Sequence, residues 1–128
     1  MPKILIADDE GHMRRLLGFS FEPTGWQLLF AEDGAQALEI ALQEQPQVIV
    51  MDVMMPVMDG LAALKELKEN PLTKAIPVIM LTARGQNLPR EEADRSGAAL
   101  FLTKPFSPSQ LVAAARRLME AASLPPAS

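Results

Sequence analysis

The chain has no cysteine. That excludes a disulfide framework, a thiolate zinc site and a cysteine nucleophile together. No apolar run approaches the roughly 20 residues needed to span a bilayer. The start, Met1-Pro2-Lys3-Ile4, lacks a signal-peptide pattern, so the cytoplasm is the expected compartment. No glycine-rich loop follows the first apolar run. Asp8-Asp9-Glu10 stands there instead and would repel a nucleotide's phosphates unless a metal intervened. Positive charge is in short supply: 12 basic against 16 acidic residues give a net charge of −4. This argues against a broad nucleic-acid surface while leaving room for one small basic patch. The single histidine, His12, reads as solvated or partner-facing rather than as a metal ligand. No internal repeat or low-complexity tract is present. What remains is an ordinary globular composition, 48% hydrophobic and 22% charged over 128 residues, enough for one domain with a sizeable core.

Apolar runs and amphipathic stretches alternate along the chain. Strands are expected at 3–7, 26–31, 48–51, 78–81 and 100–103. Val48-Ile49-Val50-Met51 is apolar throughout, as a strand covered on both faces should be. Gly11 to Phe21 reads as a helix with Met13, Leu16, Leu17 and Ser20 on one stripe, broken by Pro23-Thr24-Gly25. Asp33 can cap a second helix whose inner stripe is Ala37, Leu38, Ala41 and Leu42, with Pro46 as its stop. Gly60 to Glu69 is a third, with Leu61, Leu64 and Leu67 inward and Asn70-Pro71 at its end. A short, charged fourth helix is expected from Pro89 through Arg95, ended by Gly97. The last runs from a Ser107 or Ser109 cap to Ser123, with Leu111, Ala115, Leu118 and Ala122 inward. Residues 124–128, Leu-Pro-Pro-Ala-Ser, read as a flexible tail or the start of a linker.

Strands alternating with crossover-length helices imply an α/β fold, a doubly wound parallel sheet with helices on both faces. Ligands in such sheets bind beyond the carboxyl ends of the strands. Three carboxylates, Asp8, Asp9 and Asp52, and one ammonium, Lys104, close apolar runs there, with Thr82 at the end of another. Isolated buried carboxylates are too costly to be core filler. Three beside a lysine point to a divalent cation and a phosphoryl group.

In order and spacing, the blocks Ile6-Ala7-Asp8-Asp9-Glu10, Asp52-Val53-Met54-Met55-Pro56 with Met58-Asp59-Gly60, Leu81-Thr82-Ala83 and Lys104-Pro105-Phe106 resemble the receiver domain of two-component response regulators, over roughly residues 3–120. The resemblance implies a five-stranded, flavodoxin-like sheet of order 2-1-3-4-5 with five helices, the receiver spanning 1–123. It makes Asp52 the phosphoacceptor, fed by a histidine kinase or phosphotransfer protein. A carboxylate attacks phosphorus poorly unless the repulsion between two anions is screened, which Mg2+ or Mn2+ can do. Asp9 and Asp52 are expected to bind that ion directly and Asp8 through a water, with the roles of Asp8 and Asp9 interchangeable on sequence alone. The resemblance adds the Met54 main-chain carbonyl as a ligand, a cis Lys104–Pro105 peptide, and kinase docking on the first helix. Lys104 would hold one phosphoryl oxygen and Thr82 another.

Phe101 would be the family's aromatic switch residue, here without a tyrosine's hydroxyl, turning inward as Thr82 moves; a plain core phenylalanine is the other reading. The new charge then biases the face built by the fourth helix, fifth strand and last helix. Met54 and Arg84, two residues beyond Asp52 and Thr82, cannot activate a hydrolytic water as a carboxylate or amide could, so self-dephosphorylation should be slow. Leu100, where many receivers are acidic, is a candidate output position, for a partner or a phosphorylation-dependent dimer. The chain is thus expected to be a phosphoacceptor rather than an enzyme, with no direct nucleic-acid or membrane contact. Two alternatives stand beside it: a receiver fold that binds proteins without phosphorylation, and an aspartyl-phosphate hydrolase. The hydrolase would need a second acid where Met54 stands.

Overall fold

Five short apolar runs become strands because each can be buried on two faces at once. The computed structural model describes residues 2–83 and 95–123. Strands β1 (Lys3–Ala7), β2 (Gln27–Ala31), β3 (Val48–Asp52), β4 (Val78–Thr82) and β5 (Leu100–Thr103) pair in parallel in the order β2-β1-β3-β4-β5. Every residue of central β3 is buried, whereas edge strands β2 and β5 are wetter. Helices α1 (Gly11–Phe21), α2 (Gly34–Glu44), α3 (Gly60–Glu69) and α4 (Pro108–Ser123) complete the described elements, with a 3-10 turn at Glu22–Thr24. The charged helix expected from Pro89 to Arg95 falls almost wholly on residues 84–94, outside the described residues, as do Arg84 and the tail 124–128.

Alternation along the strands divides the core. Leu5, Ile49, Met51, Val78 and Met80 face α2 and α3, where Ala37, Ala41, Leu64 and Leu67 pack. Ile4, Ile6, Val50, Ile79 and Leu81 face the other side, against Leu17, Phe21, Leu111 and Ala115 of α1 and α4. The helix boundaries follow local chemistry. Asp33 and Asp59 cap α2 and α3 by accepting from Gln36 N and Ala62 N, both at 2.8 Å. Ser107 rather than Ser109 caps α4, accepting from Gln110 N at 3.4 Å.

Three inner stripes differ from the sequence expectation. On α1 the buried line runs through Leu17 and Phe21 with Met13 beside it, while Leu16 is 45% exposed and Ser20 bonds back to the Leu16 carbonyl. This rotation sets Gly18 close to the Phe30 ring, where a Cβ would come within 3.2 Å of Phe30 Cζ. On α2 the line is Gly34, Ala37 and Ala41, leaving Leu42 39% exposed; small residues let this helix sit close to its neighbours. On α4, Ala122 is exposed. The contrast is measurable by denaturant unfolding. Leu64→Ala should cost about 2–5 kcal/mol by leaving a cavity, whereas Leu42→Ala should cost less than about 1 kcal/mol. Equal losses would restore Leu42 to the core.

Candidate functional site

Order β2-β1-β3 places a topological switch point between β1 and β3, and the two strands end there in Ala7-Asp8 and Asp52. Asp8 follows β1 directly and is fully buried. Its Oδ1 accepts from the Glu10 backbone N–H at 2.9 Å, and its own N–H donates to the Ala31 carbonyl at 3.1 Å. Asp52, the last residue of β3, is also buried; its Oδ1 accepts from Met54 N–H at 3.2 Å. Both carboxylates are therefore aimed by the backbone of the residue two positions on.

Lys104 comes from beyond β5. Its N–H donates to the Thr82 carbonyl at 2.7 Å, and the Lys104–Pro105 peptide is cis. Its ammonium lies 3.2 Å from Asp8 Oδ2 and 3.0 Å from Asp52 Oδ2. Burial pushes the Lys104 pKa down, but the hydrogen bond to Asp52 and the charges of both carboxylates outweigh it, and the net shift is upward. For Asp8 the balance is opposite. Burial raises its pKa, the Glu10 N–H and Lys104 draw it down, Asp52 pushes it up again, and the net shift is upward.

Asp9, beside Asp8, is exposed, and one oxygen each of Asp8, Asp9 and Asp52 lie within 4.8 Å of one another. Among the described side chains of this cluster, three carboxylates stand against one ammonium, a surplus of two negative charges. Hard oxygen donors with that surplus fit Mg2+ or Mn2+; the Met54 thioether is too soft to belong to the set.

The remaining expected residues take these places. Thr82 is half-buried, its hydroxyl 3.5 Å from the Leu102 carbonyl. Phe101, opposite Met80 in the β4–β5 pair, is half-buried against the α2–α3 side of the core. Met54 is 62% exposed at the rim. Leu100 lines a groove of about 240 Å³ with Ala99, Ala114, Arg117 and Leu118, away from the carboxylates. His12 points outward, 3.3 Å from Glu10. Sequence reasoning missed Arg14, whose Nη1 donates to the Asp8 carbonyl at 2.6 Å while Nη2 lies 3.3 Å from Glu32. No spacing signals it, because the contact depends on how α1 leaves β1. Asp59 belongs to the Met58-Asp59-Gly60 block, and its position before Gly60 is also a capping signal.

The arrangement has known counterparts. The family model for the response regulator receiver domain matches residues 4–116. The phosphate regulon transcriptional regulatory protein PhoB of Escherichia coli (strain K12) is 38% identical over 117 residues, 91% of this chain and 51% of PhoB. The chain thus spans about half the length of the curated relatives it matches. The receiver domain of a signal transduction histidine kinase from Syntrophus aciditrophicus superposes with a TM-score of 0.88 at 32% identity, covering 100% of this chain and 97% of that one. The receiver domain of sensor histidine kinase PA1611 from Pseudomonas aeruginosa PAO1, described with a magnesium ion coordinated in its active site cleft, gives 0.85 at 27% identity over 93% and 98% of the two chains.

The electrostatics of the cluster predict a pH effect. A raised Asp8 pKa means the fold binds the carboxyl proton more tightly than the unfolded chain does. That contribution is present below the ordinary value of 3.8 and is lost as pH climbs through the raised folded value. In metal-free protein, Asp8→Asn should therefore raise the thermal midpoint at neutral pH and flatten the wild-type decline above the ordinary aspartate range. A lower midpoint at pH 7 would contradict it.

Proposed function

This chain belongs to the response regulator receiver domain family, and on that footing we propose that it is a phosphorylation-dependent switch with Asp52 as its acceptor. The observation that carries the proposal is the Lys104 ammonium held against both Asp52 and Asp8 on a rim that also presents Asp9. In the reaction an Asp52 carboxylate oxygen attacks the phosphorus of a phosphohistidine on a kinase or phosphotransfer protein. The P–N bond breaks, and the imidazole nitrogen leaves with the electron pair and takes up a proton. Backbone N–H from Met54 keeps the carboxylate oriented for attack. Mg2+ or Mn2+, held by Asp9 and Asp52 directly, by Asp8 through water and by the Met54 carbonyl, would screen the repulsion between the two anions. The exposure of Asp9 and the prior engagement of Asp8 with Lys104 and Glu10 favour that division of roles.

Once the phosphoryl group is in place, Lys104 exchanges Asp52 Oδ2 for a phosphoryl oxygen, at little cost because its ammonium is already there. Thr82 gives up its long contact to Leu102 and donates to another oxygen, and Phe101 turns into the space released. The register Thr82↔Thr103 and Met80↔Phe101 makes this transmission local to β4 and β5. Leu100, next on β5, is the proposed output position toward a partner or a second copy. The unit is taken as residues 1–123. Among the described residues no helix is long and apolar enough to cross a membrane, and a cytoplasmic setting, where histidine kinases present their phosphoryl groups, belongs to the same proposal.

Acetyl phosphate with Mg2+ should label the wild type and leave Asp52→Ala unlabelled, by phosphate-affinity electrophoresis. A label surviving in Asp52→Ala would remove Asp52 from its role; no label on the wild type would favour a binding module that works without phosphorylation. Without a phosphatase the label should persist for minutes or longer, since Met54 offers no general base; loss within seconds contradicts this. Leu100→Asp should label normally yet lose phosphorylation-dependent association in sedimentation or pull-down. Unchanged association would place the output elsewhere.

A further inference from the structure

The loop joining β3 to α3, residues 53–59, is gripped by two glycines from different elements. Gly60, the first residue of α3, donates its N–H to the Val53 carbonyl at 2.8 Å and lies so close beneath β3 that a Cβ would fall 2.1 Å from the Asp52 carbonyl oxygen. Gly34 belongs to α2. Its N–H donates to the Met58 carbonyl at 2.9 Å, and a Cβ there would fall 2.3 Å from the same oxygen and 3.1 Å from the Asp59 carbonyl oxygen. These neighbours are backbone, so none can rotate aside. The first N–H groups of a helix have no partner within it. In α2, Gln36 N–H is taken by the Asp33 cap and Gly34 N–H goes out to the loop.

Between the two grips the loop is strained. Val57, a β-branched residue 85% exposed, sits at φ 66°, and Met58 N–H closes a tight turn onto the Pro56 carbonyl at 2.7 Å. Such a conformation persists only where its surroundings over-determine it. Exposed Val57 gains little from packing, so its neighbour Met58 holds it, by its side chain against the core and by its carbonyl accepting from Gly34. The same loop carries Met54, whose N–H orients Asp52.

We infer that Gly34 is a positioning residue for the phosphoryl and metal site, acting from α2 through the Met58 backbone to fix the loop that carries Met54. The inference rests on the proposed reading of Asp8, Asp9 and Asp52 as a Mg2+ site. It adds a residue with no contact to that site, on a helix that contributes none of the site's side chains. Any side chain at position 34 forces α2 and the loop apart, and Met54 moves with the loop.

The test is Mg2+ binding by calorimetry on the full chain, with no phosphoryl donor. Gly34→Ala should bind about 10-fold or more weakly, within the roughly 10–100-fold loss usual for removing an outer support of a metal site. Ala41→Gly, which loosens the same helix two turns on without touching the loop, should stay within about two-fold of wild type. Equal losses in both variants, or none in Gly34→Ala, overturn the positioning role while leaving the metal site standing. No Mg2+ binding by the wild type overturns the site reading and this inference with it. A second readout needs no variant and stands if Gly34→Ala does not fold. Coupling is reciprocal, so saturating Mg2+ should slow hydrogen exchange of the wild-type Gly34 amide several-fold. An unchanged rate overturns the inference.

Discussion

The bridge of the Lys104 ammonium to the buried carboxylates of Asp8 and Asp52 is the contact that sets the geometry of the rim. It joins the ends of β1 and β3 to the segment after β5, which no backbone hydrogen bond between those strands could do. Without it, two like charges would stand out of water at one switch point. With it, the described cluster still carries a negative surplus once Asp9 is counted, and that surplus suits the site to a divalent cation. The fold therefore accepts an electrostatic cost on its rim that a protein without a function there would have removed.

The apolar body is arranged to support that cost. β3 is covered on both faces and ends in Asp52, so this carboxylate stands at the end of the most deeply buried strand. β5 is an edge strand, half-buried from Leu100 to Leu102 and exposed at Thr103, with Phe101 and Leu100 on opposite core faces. A rigid centre and a wetter edge are what a local charge change needs if it is to be felt at a distance, because less packing resists movement at the edge.

Much of this was legible in the sequence because the chemistry sits where strands stop. Five apolar runs, their crossover-length separations and the four residues Asp8, Asp9, Asp52 and Lys104 sufficed to place the rim. Helix rotation was not legible. Met13, Leu16, Leu17 and Ser20 satisfy helical spacing as well as the observed Met13-Leu17-Phe21 line, and tertiary contacts choose between them: Leu17 and Phe21 pack in the core while Gly18 lies close to Phe30 on β2. Leu42 was misplaced for a similar reason: the close approach of α2 is set by small residues at 34, 37 and 41, and hydrophobicity counts underrate small residues. Arg14 on the Asp8 carbonyl and Gly34 on the Met58 carbonyl are contacts to backbone, which leave no pattern in side-chain types.

The Lys104 bridge can be read directly. The side-chain amine of Lys104 titrates visibly through its Cε resonance in metal-free protein. A cation held by two buried carboxylates must lose its proton later than a free lysine, so its pKa should lie above the ordinary value of 10.5. A Lys104 that titrates at or below the ordinary lysine value in metal-free protein would show that burial, not the Asp8–Asp52 pair, governs its charge, and the account built on that bridge would not stand.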